Sequence, residues 1–157
     1  MPATRRTHFQ GAQIAKNLAT FDAHDYDVFS HRRWSELGKS HAQDLLVQWP
    51  DGHVEQGLEA HARSFDAMFA FAPDARITQH PIKIAAGEWT AVMGVMEGTF
   101  TEPMPRPDGA TIPPTGRSFQ IPMVTLGRWN KDGLLIEEYL FWDNLALLNQ
   151  IGVGGGP

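Results

Sequence analysis

The sequence predicts an α+β domain with helices packed on the concave side of a curved antiparallel sheet. Three observations predict it. Apolar residues recur at helical spacing between residues 17 and 41, and again between 57 and 72. Strand-like runs follow one another from residue 76 to residue 142, the last two joined by the turn Asn130-Lys131-Asp132-Gly133. The stretch from Asp143 to Ile151 returns to helical spacing and closes the chain.

In chain order, residues 1–16 show no clear period and read as an N-terminal arm. From Asn17 to His41, the residues Leu18, Phe21, Val28, Phe29, Trp34 and Leu37 predict one kinked helix or two short ones, ending near Gly38. Leu45 to Trp49 is a short strand, closed by the turn Pro50-Asp51-Gly52. Gly57 to Ala72 is the clearest helix. Its Leu58, His61, Phe65, Met68, Phe69 and Ala72 share one face, and Pro73 stops it. Arg76 to Ala86 and Glu88 to Thr101 read as strands meeting at Gly87. Residues 102–116 carry five prolines, too many for a packed element, and form a stiff cover or strap. Phe119 to Trp129 and Leu134 to Trp142 are the last two strands, apolar on both parities. A single domain of residues 17–152 results, with 153–157 as a disordered tail.

The chain has 157 residues, one domain's length, with enough apolar content (42%) to bury a core. A net charge of −5 argues against nucleic acid and against an anionic membrane as partners. There are no cysteines, so disulfides and thiolate metal sites are excluded. No apolar run reaches the roughly 20 residues of a membrane span, and the N-terminus lacks a signal peptide's apolar middle, so a cytoplasmic protein is expected. The helices can cover only one face of the sheet. The apolar residues of the other face therefore predict a homodimer formed through the sheet.

Several stretches together resemble the SnoaL-like polyketide cyclases of the nuclear transport factor 2-like superfamily. They are Trp34-Ser35-Glu36-Leu37, Asp44, Trp49-Pro50-Asp51-Gly52-His53 and Gly57-Leu58-Glu59-Ala60-His61. The likeness continues through Lys131-Asp132-Gly133, Glu137-Glu138-Tyr139, Asp143 and Gln150-Ile151-Gly152. It implies a conical α+β barrel enclosing an apolar pocket, usually in a dimer. It also exposes departures. The cyclases' catalytic aspartate falls on Leu140, and their assisting histidine falls on Thr125. The general-base aspartate of the related ketosteroid isomerases falls on Trp49. Epoxide hydrolysis, the chemistry of a third branch, also needs the aspartate that Leu140 replaces.

Two adjacent carboxylates, Glu137 and Glu138, lie in the most apolar strand and must point to opposite faces. If Leu140 faces the pocket as the family's aspartate does, strand alternation brings Ile136, Glu138 and Trp142 to the same face. In an apolar wall the Glu138 carboxyl is expected to rise in pKa, as suits a proton carrier. Pairing with Arg117, Arg128 or a helix donor would instead make it structural. His61, on the apolar face of its helix, is the second catalytic candidate, against the plainer reading of a core histidine bonded to a carbonyl. Trp49, Phe65, Met68, Phe69, Met123, Thr125, Ile136, Leu140 and Trp142 are the expected ligand-binding residues. His53 reads as an edge residue near the mouth, and Asp143 as the N-cap of the last helix. No His-x-His or His-x-x-x-His spacing occurs, so neither a metal nor a cofactor is expected.

Two functions remain open. One is a cofactor-free cyclase or isomerase with Glu138 moving the proton and His61, Thr125 or Tyr139 steadying an enolate. The other is a binding protein for a small hydrophobic, polyketide-like molecule, without turnover.

Overall fold

The computed structural model describes residues 3–154, with side chains described from Gln10 onward. Helix α1 (Ala3–Ala23) takes in most of the expected N-terminal arm. It runs directly into a π-helical turn (His24–Phe29), and a 3-10 turn (Trp34–Lys39) follows. The kink expected between residues 17 and 41 is therefore a change of helical pitch. A π turn widens the helix by one residue, which rotates His24 and Asp25 inward; both are buried although flanked by the exposed Ala23 and Tyr26.

Strands β1 (His41–Gln48) and β2 (Val54–Gln56) flank the Pro50-Asp51-Gly52 turn, and β2 was not visible in the sequence pattern. Helix α2 (Leu58–Phe71) follows, then β3 (Arg76–Ala86) and β4 (Trp89–Thr99). The proline-rich stretch contains a two-residue ribbon, β5 (Met104–Pro105) with β6 (Thr111–Ile112). Strands β7 (Ser118–Trp129) and β8 (Leu135–Trp142) lead into α3 (Asn144–Gln150). The Asp143 side chain accepts the Ala146 amide at 2.9 Å, as an N-cap does. Beyond α3, the amides of Val153 and Gly154 both reach the Leu148 carbonyl. Residues 155–157 of the expected tail lie outside the described residues.

The main sheet has the order β2-β1-β8-β7-β4-β3. All neighbours are antiparallel except β1 and β8, which run parallel. The sheet is curved but open, with β2 and β3 as its edges. Two hydrophobic clusters fill its inner side. Phe29, Phe65, Phe69, Phe100 and Phe119 belong to the larger, and Phe21, Val92, Trp129 and Leu135 to the smaller. Trp49, Met123 and Trp142 pack against both, so the clusters meet along these three side chains.

Strand β8 carries a bulge. Arg128 pairs with Glu137, but Trp129 pairs with Leu135, leaving Ile136 as the extra residue. Leu135 and Glu138, three residues apart, are consequently both buried. Glu137 lies on the other face, bonded by Arg128 at 2.9 Å and by the Tyr139 hydroxyl at 3.0 Å. The sheet's outer face carries cross-strand rows such as Ile82-Met93-Val124-Phe141 and Ile84-Ala91-Leu126-Tyr139. Ile82, Ile84, Leu126 and Phe141 in these rows are exposed. No described helix is long and apolar enough to cross a membrane.

Candidate functional site

A cavity lies where the two core clusters meet, walled by α1 and its π turn, Trp49 at the end of β1, α2 and the inner faces of β3, β4, β7 and β8. Most of its wall is apolar, including Phe21, Phe29, Phe65, Met96 and Leu140. Its polar groups are few: His24, Asp25, His61, Thr125 and Glu138. The space is about 50 Å³. That holds a few water molecules and falls well short of the several hundred Å³ of a pocket for a drug-sized ligand. Trp49 and Trp142 meet edge to face at 6.0 Å and form a partition. On its far side an outer groove is lined by the same two tryptophans with Pro50, Asp51, His53 and Asn144.

Glu138 is buried on β8 between two histidines. His41 Nε2, from β1, lies 3.4 Å from Glu138 Oε2, and His61 Nε2, from α2, lies 3.3 Å from the same oxygen. These are ion-pair distances without hydrogen-bond alignment: His41 Nε2 and Glu138 Oε2 have no hydrogen-bond partner among the described residues. The other ring nitrogens are engaged. His41 Nδ1 is 2.6 Å from Ser40 Oγ, and His61 Nδ1 is 3.2 Å from Glu55 Oε1. The Ser64 hydroxyl in turn donates to Glu55 Oε2 at 2.5 Å. Burial alone would raise the Glu138 carboxyl, but His41 and His61 outweigh it and hold the group well below the usual carboxylate range. This reverses the expected upward shift, because the wall beside Glu138 is built of two histidines and is not apolar. Burial would lower His61, yet Glu138 and Glu55 push it up to about 9.

The second carboxylate in the cavity is Asp25. Its Oδ2 lies 2.8 Å from His80 Nε2, and His80 Nδ1 lies 2.7 Å from Asp22 Oδ1. Lys83 donates to Asp22 Oδ2 at 2.8 Å. Tyr26 stacks on the His80 ring at 4.6 Å and holds it in plane. Burial raises the Asp25 carboxyl above its ordinary value, with the His80 contact working against the rise. His24 is pushed well below its ordinary value by burial and by the neighbouring His41, whose ring is 4.4 Å away. Asp25 is thus a carboxyl disposed to hold a proton, in the same cavity as Glu138, a carboxylate disposed to shed one.

Of the residues expected at a site, Glu138, His61, Trp49, Phe65, Met68, Met123, Thr125, Leu140 and Trp142 all line the cavity. Phe69 and Ile136 do not. Phe69 packs against Phe29 and Trp34 in the larger core cluster. Ile136 is the bulge residue of β8, so alternation counted back from Leu140 fails there. The arginines considered as partners for Glu138 are elsewhere: Arg128 bonds Glu88 and Glu137. His61 bonds a carboxylate and not a carbonyl. His53 is exposed and bonded to Asp51, stacked beside Trp49 in the outer groove.

Asp25, His80 and His41 were not anticipated. Asp25 stands in a polar run, His24-Asp25-Tyr26-Asp27, that reads as solvated. Its histidine partner lies 55 residues away. The one local signal for His41 is its place at the head of a strand whose Leu45 and Val47 are fully buried.

A family model described as SnoaL-like polyketide cyclase matches residues 21–151. No curated protein matches the chain. Among solved structures, a candidate SnoaL-like polyketide cyclase from Jannaschia sp. CCS1 superposes with a TM-score of 0.75 at 19% identity, covering 91% of this chain and 94% of that one. IdmH, a candidate polyketide cyclase from Streptomyces antibioticus, gives 0.72 at 25% identity, covering 90% and 99%. A protein of ketosteroid isomerase-like fold from Catenulispora acidiphila, in complex with trimethylamine, gives 0.67 at 17% identity, covering 90% and 97%.

Proposed function

The chain belongs to the SnoaL-like polyketide cyclase family, and from that premise we propose that it carries out proton-transfer chemistry on a small, enolisable hydrophobic molecule. Asp25 is the proton carrier in this proposal. Its carboxylate takes a proton from the carbon beside a carbonyl, and the C–H electron pair moves into an enolate. The enolate carbon then forms the new bond or recovers the proton at another position, as a cyclase or an isomerase requires. The observation that carries the reading is a buried carboxyl lining the cavity, fixed at 2.8 Å by a histidine that a second aspartate orients. That is the base-plus-orienting-group arrangement of acid–base sites.

Glu138 was the carrier expected from the sequence, and it fits the role less well. Both histidines stand at ion-pair distance from the same oxygen and hold the carboxyl well below the usual carboxylate range, which makes it a weak base. The His41–His61–Glu138 cluster suits the complementary task of offering positive charge to the carbonyl oxygen as the enolate forms. A ligand larger than the cavity needs Met68, Met123 or Trp142 to move. All three are only partly buried, and the methionines have several soft torsions.

One observation favours a second reading, a hydrophobic-ligand carrier without turnover. Leu140 lines the cavity at the position where the resemblance implies the cyclase aspartate. The test is deuterium incorporation from D2O at the α-carbon of small cyclic ketones and β-ketoesters, followed by NMR. Wild type should exchange, and Asp25→Asn should slow exchange at least about 100-fold while still binding the ketone. Exchange that survives in Asp25→Asn but not in Glu138→Gln would return the role to Glu138. Binding with no exchange in wild type would establish the carrier reading.

A further inference from the structure

We propose that His41 Nε2, His61 Nε2 and Glu138 Oε2 form a binding site for one first-row divalent transition metal ion, zinc(II) being the best match, with its open position toward the cavity. The proposal concerns the same cavity as the acid–base reading but does not depend on the role of Asp25.

Four observations carry it. The first is distance. The three ligand atoms all lie within 4.8 Å of one another, and the two nitrogen-to-oxygen separations are 3.3 and 3.4 Å. A tetrahedral ion with bonds of about 2.0–2.2 Å sets its ligands about 3.3–3.6 Å apart. A direct histidine–carboxylate hydrogen bond would instead close to about 2.7–2.9 Å. The separations match the edges of a coordination shell better than they match a proton shared between two groups.

The second observation is the orphaned atoms. His41 and Glu138 are 1% and 2% exposed, and His41 Nε2 and Glu138 Oε2 lack a hydrogen-bond partner among the described residues. Buried polar atoms are rarely left this way without something to satisfy them. These two atoms lie 3.4 Å apart.

The third is the surrounding shell. Each histidine is held at Nδ1, His41 by Ser40 Oγ and His61 by Glu55, which Ser64 fixes in turn. Outer partners of this type set the tautomer and aim Nε2 at a metal. The fourth is the rigidity and openness of the frame. The ligands stand on β1, α2 and β8, and β1 pairs in parallel with β8 at His41↔Leu135 and again from Leu46↔Glu137 to Gln48↔Tyr139, with an irregularity between that offsets His41 from Glu138. His61 and Glu138 line the cavity, so a fourth ligand position would be open to a small molecule. Two nitrogens, one carboxylate and an open position form a donor set that suits zinc and its neighbours and discriminates against calcium and magnesium. The sequence carries no local signature of it, because the ligands come from three separate elements.

The test uses the full-length chain, stripped with a chelator and titrated with cobalt(II), whose visible absorption reports a low-coordinate nitrogen–oxygen site. Zinc(II) is then added as competitor. Wild type should bind one equivalent of cobalt, displaced by zinc, with a rise in Tm on zinc addition. His41→Gln and Glu138→Gln, checked for folding by circular dichroism, should each lose at least about 100-fold in affinity. Ser40→Ala, which removes only the outer partner of His41, should lose about 10–100-fold. Asp25→Asn and the surface variant His53→Ala should bind as wild type does. Failure of proton exchange and failure of metal binding are therefore read separately. No saturable cobalt binding by wild type would overturn the site, as would binding lost in His53→Ala but kept in Glu138→Gln. If His41→Gln and Glu138→Gln do not fold, unchanged affinity in Ser40→Ala overturns it.

Discussion

Asp25 is kept in an oily wall by two partners acting in series. His80 bonds it directly, and Asp22, itself tied to Lys83, bonds the far side of the His80 ring. Burial lifts the Asp25 carboxyl above 3.8, so the folded state binds a proton more tightly than the unfolded chain does. The stability tied to that proton is fully present below pH 3.8 and is lost as pH rises through the higher folded value. A carbon-13 titration of the side-chain carboxyl should accordingly put the Asp25 midpoint above 3.8. A midpoint at or below that value would remove the burial argument. Glu138 was legible from sequence because a pair of adjacent carboxylates in an apolar strand stands out, and two-residue alternation with Leu140 sets which of the pair faces in. Asp25 was not, because a π turn obeys neither the helical nor the strand period, and its partner lies on β3. The direction of the Glu138 shift was illegible for a related reason: it depends on His41 and His61, brought together only by the fold.

At the scale of elements, the strands and α2 were legible because their apolar periods are clean and their ends carry turn residues. The pattern failed where elements are short or irregular. Val54–Gln56 is too brief for a period and is held by its pairing with β1. The ribbon in the proline-rich stretch is two residues a side. Asp143 was legible as a cap, and the cap makes a prediction. Asp143→Ala should lower stability to urea by about 1 kcal/mol through loss of the bond to the Ala146 amide. It should leave proton exchange and metal binding untouched. A loss of exchange in a well-folded Asp143→Ala would mean that this carboxylate has a chemical part to play after all.

For the whole molecule, both sheet faces were expected to be apolar, and the cross-strand rows on the outer face fit that expectation. We propose that these rows, with Ile82, Ile84 and Phe141 exposed along them, bury against a second copy of the chain. Sedimentation at micromolar concentration should then give a dimer, and Ile84→Glu should shift it to monomer. A wild-type monomer would leave the patch for some other partner. The bulge in β8 has a wider bearing on the molecule than its size suggests. Ile136 is a single surplus residue, yet it resets which way every later side chain of that strand points relative to Leu135. Without it, Leu135 and Glu138 could not both turn inward from one regular strand. Because the strand miscounts once, the acid that shares the interior with Leu135 is Glu138 and not its neighbour Glu137, and a strand that counted evenly from Leu135 would have offered the hollow the other carboxylate.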